Sequence, residues 1–201
     1  MTAKIIDGKA VSEAIQQEIQ QEAAALAKRH GMKPGLAVVL VGDNPASHTY
    51  VSNKRKTWKR LGFQSFEFDL PADAPESQVL DIVAQLNANP EVHGILVQLP
   101  LPRQVDEHKV LLAIDPAKDV DGFHPVNLGR LAAGLPALAP CTPLGCIILA
   151  KTVHPSLEGL EAIIIGRSNI VGKPLALLLL GENATVTVAH SKTRDLPAVV
   201  R

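Results

Sequence analysis

The pattern of apolar and polar positions in this chain alternates between the spacing of strands and the spacing of helices. Leu36 to Val41 is a continuous apolar run rich in valine, which is typical of a buried strand in a parallel sheet. Gly94 to Leu99 is predicted to be a second buried strand, and Gln64 to Leu70 alternates phenylalanines with polar residues, as a partly exposed strand does. Strands alternating with helices predict a parallel α/β domain that binds ligands beyond the carboxyl ends of its strands.

Two helices are predicted from apolar residues at helical spacing. The first runs from about Lys9 to His30, with Asp7 as its cap and Gly31 at its end. The residues of its predicted buried stripe are Val11, Ala14, Ile15, Ile19, Ala23 and Leu26. The second helix runs from Ser77 to Leu86. Together with the strands, these helices predict an N-terminal α/β domain of three layers.

A third helix, predicted over Ala46 to Leu61 with Ser47 as its cap, carries a lysine on a face that should be apolar. The residues that project within about 60° of Lys54 are Tyr50, Val51, Trp58 and Leu61. The bases that project to the solvent side are Arg55, Lys56, Lys59 and Arg60. Lys54 is therefore the basic residue of this helix that does not fit the pattern.

Two interpretations of Lys54 are open from the pattern alone. A surface lysine can lay its methylenes over apolar neighbours while its amine stays in water. Alternatively, Lys54 presents an amine at the wall of a pocket, where desolvation lets it exchange protons near neutrality.

Two further features lie at predicted strand ends. Gln98 interrupts an apolar run just before the strand ends, and it could satisfy loop backbone or contact a ligand. The loop from Asp115 to Pro125 contains three aspartates. It lacks the glycine and glutamate positions of a calcium loop, so we predict no metal there. A carboxylate that accepts hydrogen bonds from a substrate heterocycle fits the loop better, with turn capping as the alternative.

A second βαβ segment follows a boundary near Leu138 to Pro143, where Thr142 is predicted to cap a helix that has Pro143 at its first position. The predicted parts of the segment are a strand at Leu160 to Ile165, a loop at Gly166 to Gly172, a helix at Lys173 to Leu180 and a strand at Ala184 to Ala189. We therefore predict a domain over residues 1–140 and the first part of a Rossmann-like domain over residues 141–201.

The glycine-bounded loop indicates a dinucleotide site, because it joins a strand to a helix N-terminus. It departs from the usual glycine pattern at Ser168 and Val171. An NAD site usually places a carboxylate about 20 residues further on, but here the chain reads His190-Ser191. With Arg167 nearby, this cationic, hydroxylated corner favours NADP over NAD. A mononucleotide site or a purely structural unit is the alternative.

Composition changes this picture only by exclusion. Of the 201 residues, 46% are hydrophobic, and 20 basic residues balance 20 acidic ones, so nothing indicates nucleic acid or an anionic membrane surface as a partner. The N-terminal segment becomes polar too early for a secretory signal, and the longest apolar run is too short to span a membrane. Two cysteines indicate no disulfide framework. We expect a cytoplasmic protein.

Several motifs, in unbroken order over essentially the whole chain, jointly resemble one family. They are Tyr50 with Lys54, Gly94 to Pro102, Lys118 to Gly122, Pro140 to Pro143, and Gly166 to Gly172. The family is the bifunctional methylenetetrahydrofolate dehydrogenase/methenyltetrahydrofolate cyclohydrolase. The resemblance implies NADP-dependent oxidation of 5,10-methylenetetrahydrofolate, hydrolysis of the methenyl product to 10-formyltetrahydrofolate, and a homodimer.

The resemblance also implies roles for individual residues. Lys54 would be the catalytic acid/base of the cyclohydrolase step, with Gln98 as its partner. Tyr50 would line the folate site and orient the substrate, and Asp121 would hydrogen-bond the pterin. The residues implied to contact NADP are Gly166, Arg167, Ser168, His190 and Ser191.

Proteins of this family continue well past position 201, so the resemblance implies a member that is incomplete at its C-terminus. We therefore expect residues 1–201 alone to show little NADP-dependent dehydrogenase activity. Another NADP-linked dehydrogenase and a non-catalytic or crippled folate-binding protein are the alternative functions.

Overall fold

The computed structural model describes residue 3 and residues 5–201, and it confirms the α/β class. The elements in chain order are α1 (Gly8–His30), β1 (Gly35–Val41), α2 (Pro45–Leu61), β2 (Gln64–Leu70), α3 (Glu76–Ala88), β3 (Gly94–Val97), α4 (Glu107–Ala113), α5 (Pro125–Ala132), α6 (Cys141–Lys151), β4 (Glu161–Ile165), α7 (Gly172–Gly181), β5 (Thr185–Ala189) and α8 (Leu196–Val199).

The chain divides into two compact units. Lys9–Val120 forms the N-terminal unit, and Asp121–Arg201 forms the C-terminal unit together with the described residues that precede Lys9. The domain division between residues 140 and 141 stays a prediction.

A three-stranded parallel sheet forms the centre of the N-terminal unit, in the order β2-β1-β3. Val39 of β1 pairs with Phe68 of β2 on one side and with Val97 of β3 on the other. Because all three strands run in the same direction, their carboxyl ends lie along one edge of the sheet. Gln98 directly follows β3, so it lies at that edge.

Side chains of β1 alternate between the two faces of this sheet, and helices cover both faces. One face contributes Ala37, Val39 and Val41 to a core that includes Val79 and Val83 of α3. The opposite face carries Val38 and Leu40, which pack with Val51 of α2 and with Leu96. Each buried valine or leucine stabilises the fold by about 1.5–3 kcal/mol relative to an exposed one. This packing gives the predicted three layers.

The helix that carries Lys54 begins earlier than predicted. Asn44 is its cap, because the side-chain oxygen of Asn44 accepts hydrogen bonds from the backbone N–H groups of Ala46 and Ser47. The prediction that Ser47 caps the helix is wrong, and Ser47 is instead a buried residue of its first turn. The helix ends at Leu61 as predicted, and Gly62 follows it in the left-handed conformation (φ 86°) that glycine adopts without steric cost.

Other features of the structure also differ from the prediction. The strand predicted to reach Leu99 ends at Val97. Two residues of the predicted α1 stripe, Ala14 and Leu26, are exposed. The short helices α4, α5 and α8 were not predicted, since none is longer than eight residues and apolar periodicity is read over windows of about 11 or more.

The C-terminal unit contains a two-stranded parallel sheet of β4 and β5, joined through α7 as the predicted βαβ unit. Helices α5 and α6 pack against α7. Helix α6 begins at Cys141 with Pro140 as its cap, so the prediction of Thr142 as cap and Pro143 at the first helical position is wrong by two residues.

No helix in the part of the chain that the structure describes is both long enough and apolar enough to cross a membrane.

Candidate functional site

Lys54 of α2 contacts Gln98 at the carboxyl edge of the N-terminal sheet. The Nζ of Lys54 donates a hydrogen bond to Oε1 of Gln98 over 3.3 Å, and both residues are half-buried. The two residues that do not fit the apolar pattern of their own segments therefore meet in space. A half-buried amine held by a neutral amide is an arrangement that can serve general acid–base chemistry.

Gln98 is fixed by two further hydrogen bonds. Its backbone N–H donates to the carbonyl oxygen of Val39 over 2.9 Å, which extends the pairing of β3 with β1 by one residue. Its side-chain Nε2 donates to the carbonyl oxygen of Leu99 over 2.7 Å. Only the nitrogen of the Gln98 side-chain amide can donate to the Leu99 carbonyl. The amide oxygen, Oε1, is therefore the atom that faces Lys54. The Leu99–Pro100 peptide bond that follows is cis.

Tyr50 lies one helical turn before Lys54, so the two residues share a face of α2. The apolar stripe predicted around Lys54 is only partly buried, because Tyr50 is 64% exposed whereas Val51 is 1% exposed. The Tyr50 phenol is open to solvent and is available to a ligand that binds at this face of α2.

The helical projection predicted Arg55 on the solvent side of α2, and this prediction is wrong. Its guanidinium donates to both carboxylate oxygens of Asp69 on β2, over 3.0 and 2.5 Å, and its side chain is 16% exposed. Glu67, two residues earlier on β2, forms an ion pair with Lys59 at 3.0 Å. The sequence contained a signal for these ion pairs. Two acidic residues lie two positions apart on β2, and Arg55 and Lys59 lie four positions apart on α2, so each pair shares one face of its element.

These contacts shift the pKa of Arg55, Asp69 and Glu67. The hydrogen bonds from Arg55 hold the pKa of the Asp69 carboxyl below its ordinary value, against the opposing effect of partial burial, and the charges of Arg55 and His48 add to them. Hydrogen bonding to Asp69 likewise raises the pKa of Arg55. Partial burial acts to raise the pKa of Glu67, but hydrogen bonds from Lys59 and Ser65 and the charge of Arg55 outweigh it, so that pKa is lowered.

The aspartate-rich loop is anchored to α3 by Lys118. The Nζ of Lys118 donates to the carbonyl oxygens of Leu86, Asn87 and Asn89 over 3.2, 2.7 and 2.9 Å, at the C-terminal end of α3. An ammonium ion at this end of a helix satisfies carbonyls that have no partner within the helix. The sequence did not indicate this anchor.

Two aspartates follow Lys118. Asp119 is buried, and its backbone bridges to Ile95 of β3. Asp121, the residue predicted to contact the substrate, is half-buried and begins the C-terminal unit.

The predicted nucleotide loop and the end of β5 lie at one edge of the C-terminal sheet. Ile165 pairs with Ala189, and the N–H of Gly166 donates to the carbonyl oxygen of Ala189 over 2.8 Å. Gly166 and His190, which directly follow these paired residues, are therefore neighbours at the carboxyl ends of β4 and β5.

Ser168 has a structural contact in this loop. Its Oγ accepts hydrogen bonds from the N–H groups of Val171 and Gly172, over 3.1 and 3.3 Å, at the start of α7. Gly172 packs directly on the loop, because a Cβ at this position would collide with the carbonyl of Gly166. Gly172 thus provides the close approach of helix to strand that the third glycine provides in the usual fingerprint.

Polar groups of the loop and of the β5 end remain open to a ligand. Arg167 and Ser191 are exposed, and His190 is half-buried. The Nδ1 of His190 accepts a hydrogen bond from the N–H of Lys192 over 3.1 Å. In the neutral ring the proton is then on Nε2, so His190 keeps one donor for a ligand.

Within residue 3 and residues 5–201, no group of three or more His, Cys, Asp or Glu side chains is arranged to bind a metal ion.

Family models match both units. The model described as tetrahydrofolate dehydrogenase/cyclohydrolase, catalytic domain, matches residues 6–121. The model described as tetrahydrofolate dehydrogenase/cyclohydrolase, NAD(P)-binding domain, matches residues 140–201.

Curated relatives match the whole chain. The bifunctional protein FolD of a Rhodopseudomonas palustris strain is 62% identical over 201 residues, which are 100% of this chain and 68% of that protein. The FolD protein of Nitrobacter hamburgensis is 60% identical over the same shares. The chain thus spans about two thirds of the length of these relatives.

Solved structures have the same fold. The bifunctional FolD enzyme of Campylobacter jejuni superposes with a TM-score of 0.93 at 46% identity, over 97% of this chain and 69% of that one. The FolD of Trypanosoma brucei, solved with NADP cofactor and inhibitor, gives a TM-score of 0.92 at 39% identity, over 99% and 68%.

These similarities confirm the family resemblance and do not favour the non-catalytic alternative. Models and relatives agree over nearly all of the sequence, and this chain belongs to the tetrahydrofolate dehydrogenase/cyclohydrolase family.

Proposed function

We propose that Lys54 and Gln98 carry out proton transfer in the cyclohydrolase reaction of a bifunctional enzyme. The enzyme oxidises 5,10-methylenetetrahydrofolate with NADP and hydrolyses the methenyl product to 10-formyltetrahydrofolate. The observation that carries the proposal is the 3.3 Å hydrogen bond from Lys54 Nζ to Gln98 Oε1 at the carboxyl edge of the sheet.

Hydrolysis of the methenyl group needs three proton transfers at one place. Water adds to the methenyl carbon and loses a proton. The bond from that carbon to N5 then breaks as the new hydroxyl loses its proton to become the formyl carbonyl and N5 gains a proton. The reaction releases one proton overall. The amine of Lys54 can accept the proton from water and return one to N5, which is general acid–base catalysis by a single group.

Gln98 suits this task because its side chain is neutral. An amide oxygen orients the amine through a hydrogen bond without fixing it in its charged form, as a carboxylate in the same place would. The bond from Gln98 Nε2 to Leu99 keeps the amide oxygen turned toward Lys54.

Tyr50 and Asp121 are proposed as substrate contacts. The exposure of Tyr50 on the Lys54 face of α2 supports a role in orienting the folate. A carboxylate such as Asp121 accepts hydrogen bonds from the donor-rich pterin ring, and a charged acceptor makes such bonds stronger.

The NADP site is proposed at Gly166, Arg167, Ser168, His190 and Ser191. The residues present fit the cofactor. The close contact of Gly172 with Gly166 brings the start of α7 against the loop. Arg167 and Ser191 are exposed beside it. A cation and a hydroxyl at adjoining strand ends suit the 2′-phosphate. When bound, NADP supplies the acceptor for the hydride, and the protein contributes its orientation toward the folate.

The homodimer and the cytoplasmic location expected from the sequence are also proposals. Ile165 and Val188 are exposed apolar residues of the C-terminal sheet, and they offer a surface that a second copy could cover. Light scattering would measure the mass in solution, and cell fractionation would test the location.

The test of the proposed function is Lys54→Met in the full-length protein. Methionine keeps an unbranched stem but cannot exchange a proton, so the rate of loss of methenyl absorbance should fall at least about 10²-fold. Lys56→Met, on the exposed side of the same helix, is the matched control and should keep the wild-type rate. A folded Lys54→Met protein with a wild-type cyclohydrolase rate would contradict the proposal.

A further inference from the structure

Lys54 and Arg55, which are consecutive residues of α2, reach opposite edges of the N-terminal sheet. Lys54 contacts Gln98, which follows the edge strand β3, whereas Arg55 contacts Asp69 on the other edge strand, β2. Between them, Val51 of α2 packs on the central strand β1. Helix α2 is therefore held on both sides of the axis about which it could rotate.

The contacts on the β2 side form a rigid clamp. The two bonds from Arg55 to the carboxylate of Asp69, at 3.0 and 2.5 Å, are bidentate and fix the plane of the guanidinium. The Nε of Arg55 lies 3.4 Å from Oε2 of Glu67, which is a charge contact and not a hydrogen bond. Lys59, one turn further along α2, pairs with the same glutamate at 3.0 Å.

The rotation of α2 decides whether the amine of Lys54 meets Gln98. Helical side chains extend about 5–6 Å from the axis, so a rotation of about 10° moves their tips by about 1 Å. A misplacement of about 1 Å at a reacting group can lower a rate about 10²-fold. The packing of Val51 alone leaves some freedom to rotate, because apolar contacts are not directional.

We propose that Arg55 is a positioning residue for Lys54, through the clamp that it forms with Asp69. This inference rests on the proposed function of Lys54. Arg55 acts through the orientation of α2, and its guanidinium is already engaged with β2.

The test compares Arg55→Met and Asp69→Asn with the control Lys56→Met in the full-length protein. Each clamp variant should lower kcat of the cyclohydrolase about 10-fold or more, because the Lys54 amine is displaced from the reacting atoms. Tyr50 lies on the same helix and moves with it, so the KM for the folate should rise by a similar factor in both reactions, and the difference in kcat is the deciding readout. Hydride transfer does not use the Lys54 amine, so the dehydrogenase kcat should change less than about twofold. Lys56→Met should keep both rates.

A second readout separates positioning from a merely structural role. In a protein that already carries Lys54→Met, adding Arg55→Met should cause no further loss of cyclohydrolase kcat, since there is no amine left to position. If Arg55→Met fails to fold, Asp69→Asn alone decides the question by the same criteria.

Three results would overturn the inference. Wild-type cyclohydrolase kcat in the clamp variants, alongside a large loss in Lys54→Met, would remove the positioning role and leave the proposed function intact. Equal losses of kcat in both activities would show that the clamp only supports the fold. Wild-type activity in Lys54→Met would contradict the proposed function and this inference together.

Discussion

The Nζ of Lys54 lies 3.3 Å from Oε1 of Gln98, although the two residues are 44 positions apart in the chain. Lys54 interrupts the apolar stripe of α2, and Gln98 interrupts the apolar run of β3 directly after the strand ends. The contact explains both interruptions at once, because a half-buried amine and a half-buried amide satisfy each other's hydrogen-bonding groups.

Arg167 should determine the choice between the two nicotinamide cofactors. Arg167→Gln removes a cation from the exposed loop after β4, next to the end of β5. Because a charge-assisted bond to phosphate is roughly twice as strong as a neutral one, the Kd for NADP should rise far more than the Kd for NAD. Fluorescence titration of the full-length protein with each cofactor measures both constants. An equal loss for NADP and NAD would assign the 2′-phosphate contact to His190 or Ser191.

Lys118 should stabilise the N-terminal unit by capping α3. Lys118→Met removes one donor from the carbonyls of Leu86, Asn87 and Asn89, and we expect the unfolding free energy to fall by about 1–3 kcal/mol. The backbone N–H groups of Asn89 and Val92 still donate to the carbonyls of Leu86 and Asn89. Urea unfolding followed by circular dichroism measures the change. Lys56→Met removes an exposed lysine and is the control. A loss for Lys118→Met no larger than the control would show that water satisfies these carbonyls equally well.

The Arg55–Asp69 pair should contribute to stability at neutral pH and lose that contribution in acid. The pKa of Asp69 is lowered in the folded protein, so the unfolded chain binds more protons as the pH falls. The contribution is therefore complete above the ordinary carboxyl pKa of about 4 and is lost as the pH falls through the lower folded value.

Comparison of wild type with Asp69→Asn measures this contribution. The difference in unfolding free energy should be below about 1 kcal/mol at pH 7, since the pair is partly exposed, and should shrink below pH 4. Asp73→Asn, which removes an exposed loop carboxylate, is the control. A difference that grows as the pH falls would contradict the ion-pair explanation.

The buried elements were predictable because their signal is local. The valine-rich run of β1 and the apolar run of β3 are buried on both faces, so their sequences alone indicate strands of a parallel sheet. The helix predicted over Ala46 to Leu61 is observed over Pro45–Leu61, although its cap was wrongly predicted.

The helix caps were less predictable because neighbouring residues compete for one role. Asn44 and Ser47 both have a capping side chain, and the chain direction after β1 decides which one faces the free N–H groups. At α6, the fixed φ of Pro140 and Pro143 is compatible with either residue at the start of the helix.

Contacts across the fold could not be predicted from the periodicity of one element taken alone. The helical projection assigned Arg55 to solvent, since it contains no information about the acidic residues of β2 that lie beside α2. The three-carbonyl contact of Lys118 likewise depends on where the end of α3 lies. Both contacts use charged residues, which a pattern assigns to the surface by default.

The central claim is that Lys54 and Gln98 act as one unit in the cyclohydrolase reaction, and a double-mutant cycle tests it most directly. The cyclohydrolase kcat is measured for wild type, Lys54→Met, Gln98→Leu and the double variant of the full-length protein. If Gln98 acts only by orienting the amine, its replacement has no further effect once the amine is gone, and the double variant should be as active as Lys54→Met alone. Losses that multiply in the double variant would show that the two residues act independently and would contradict the claim.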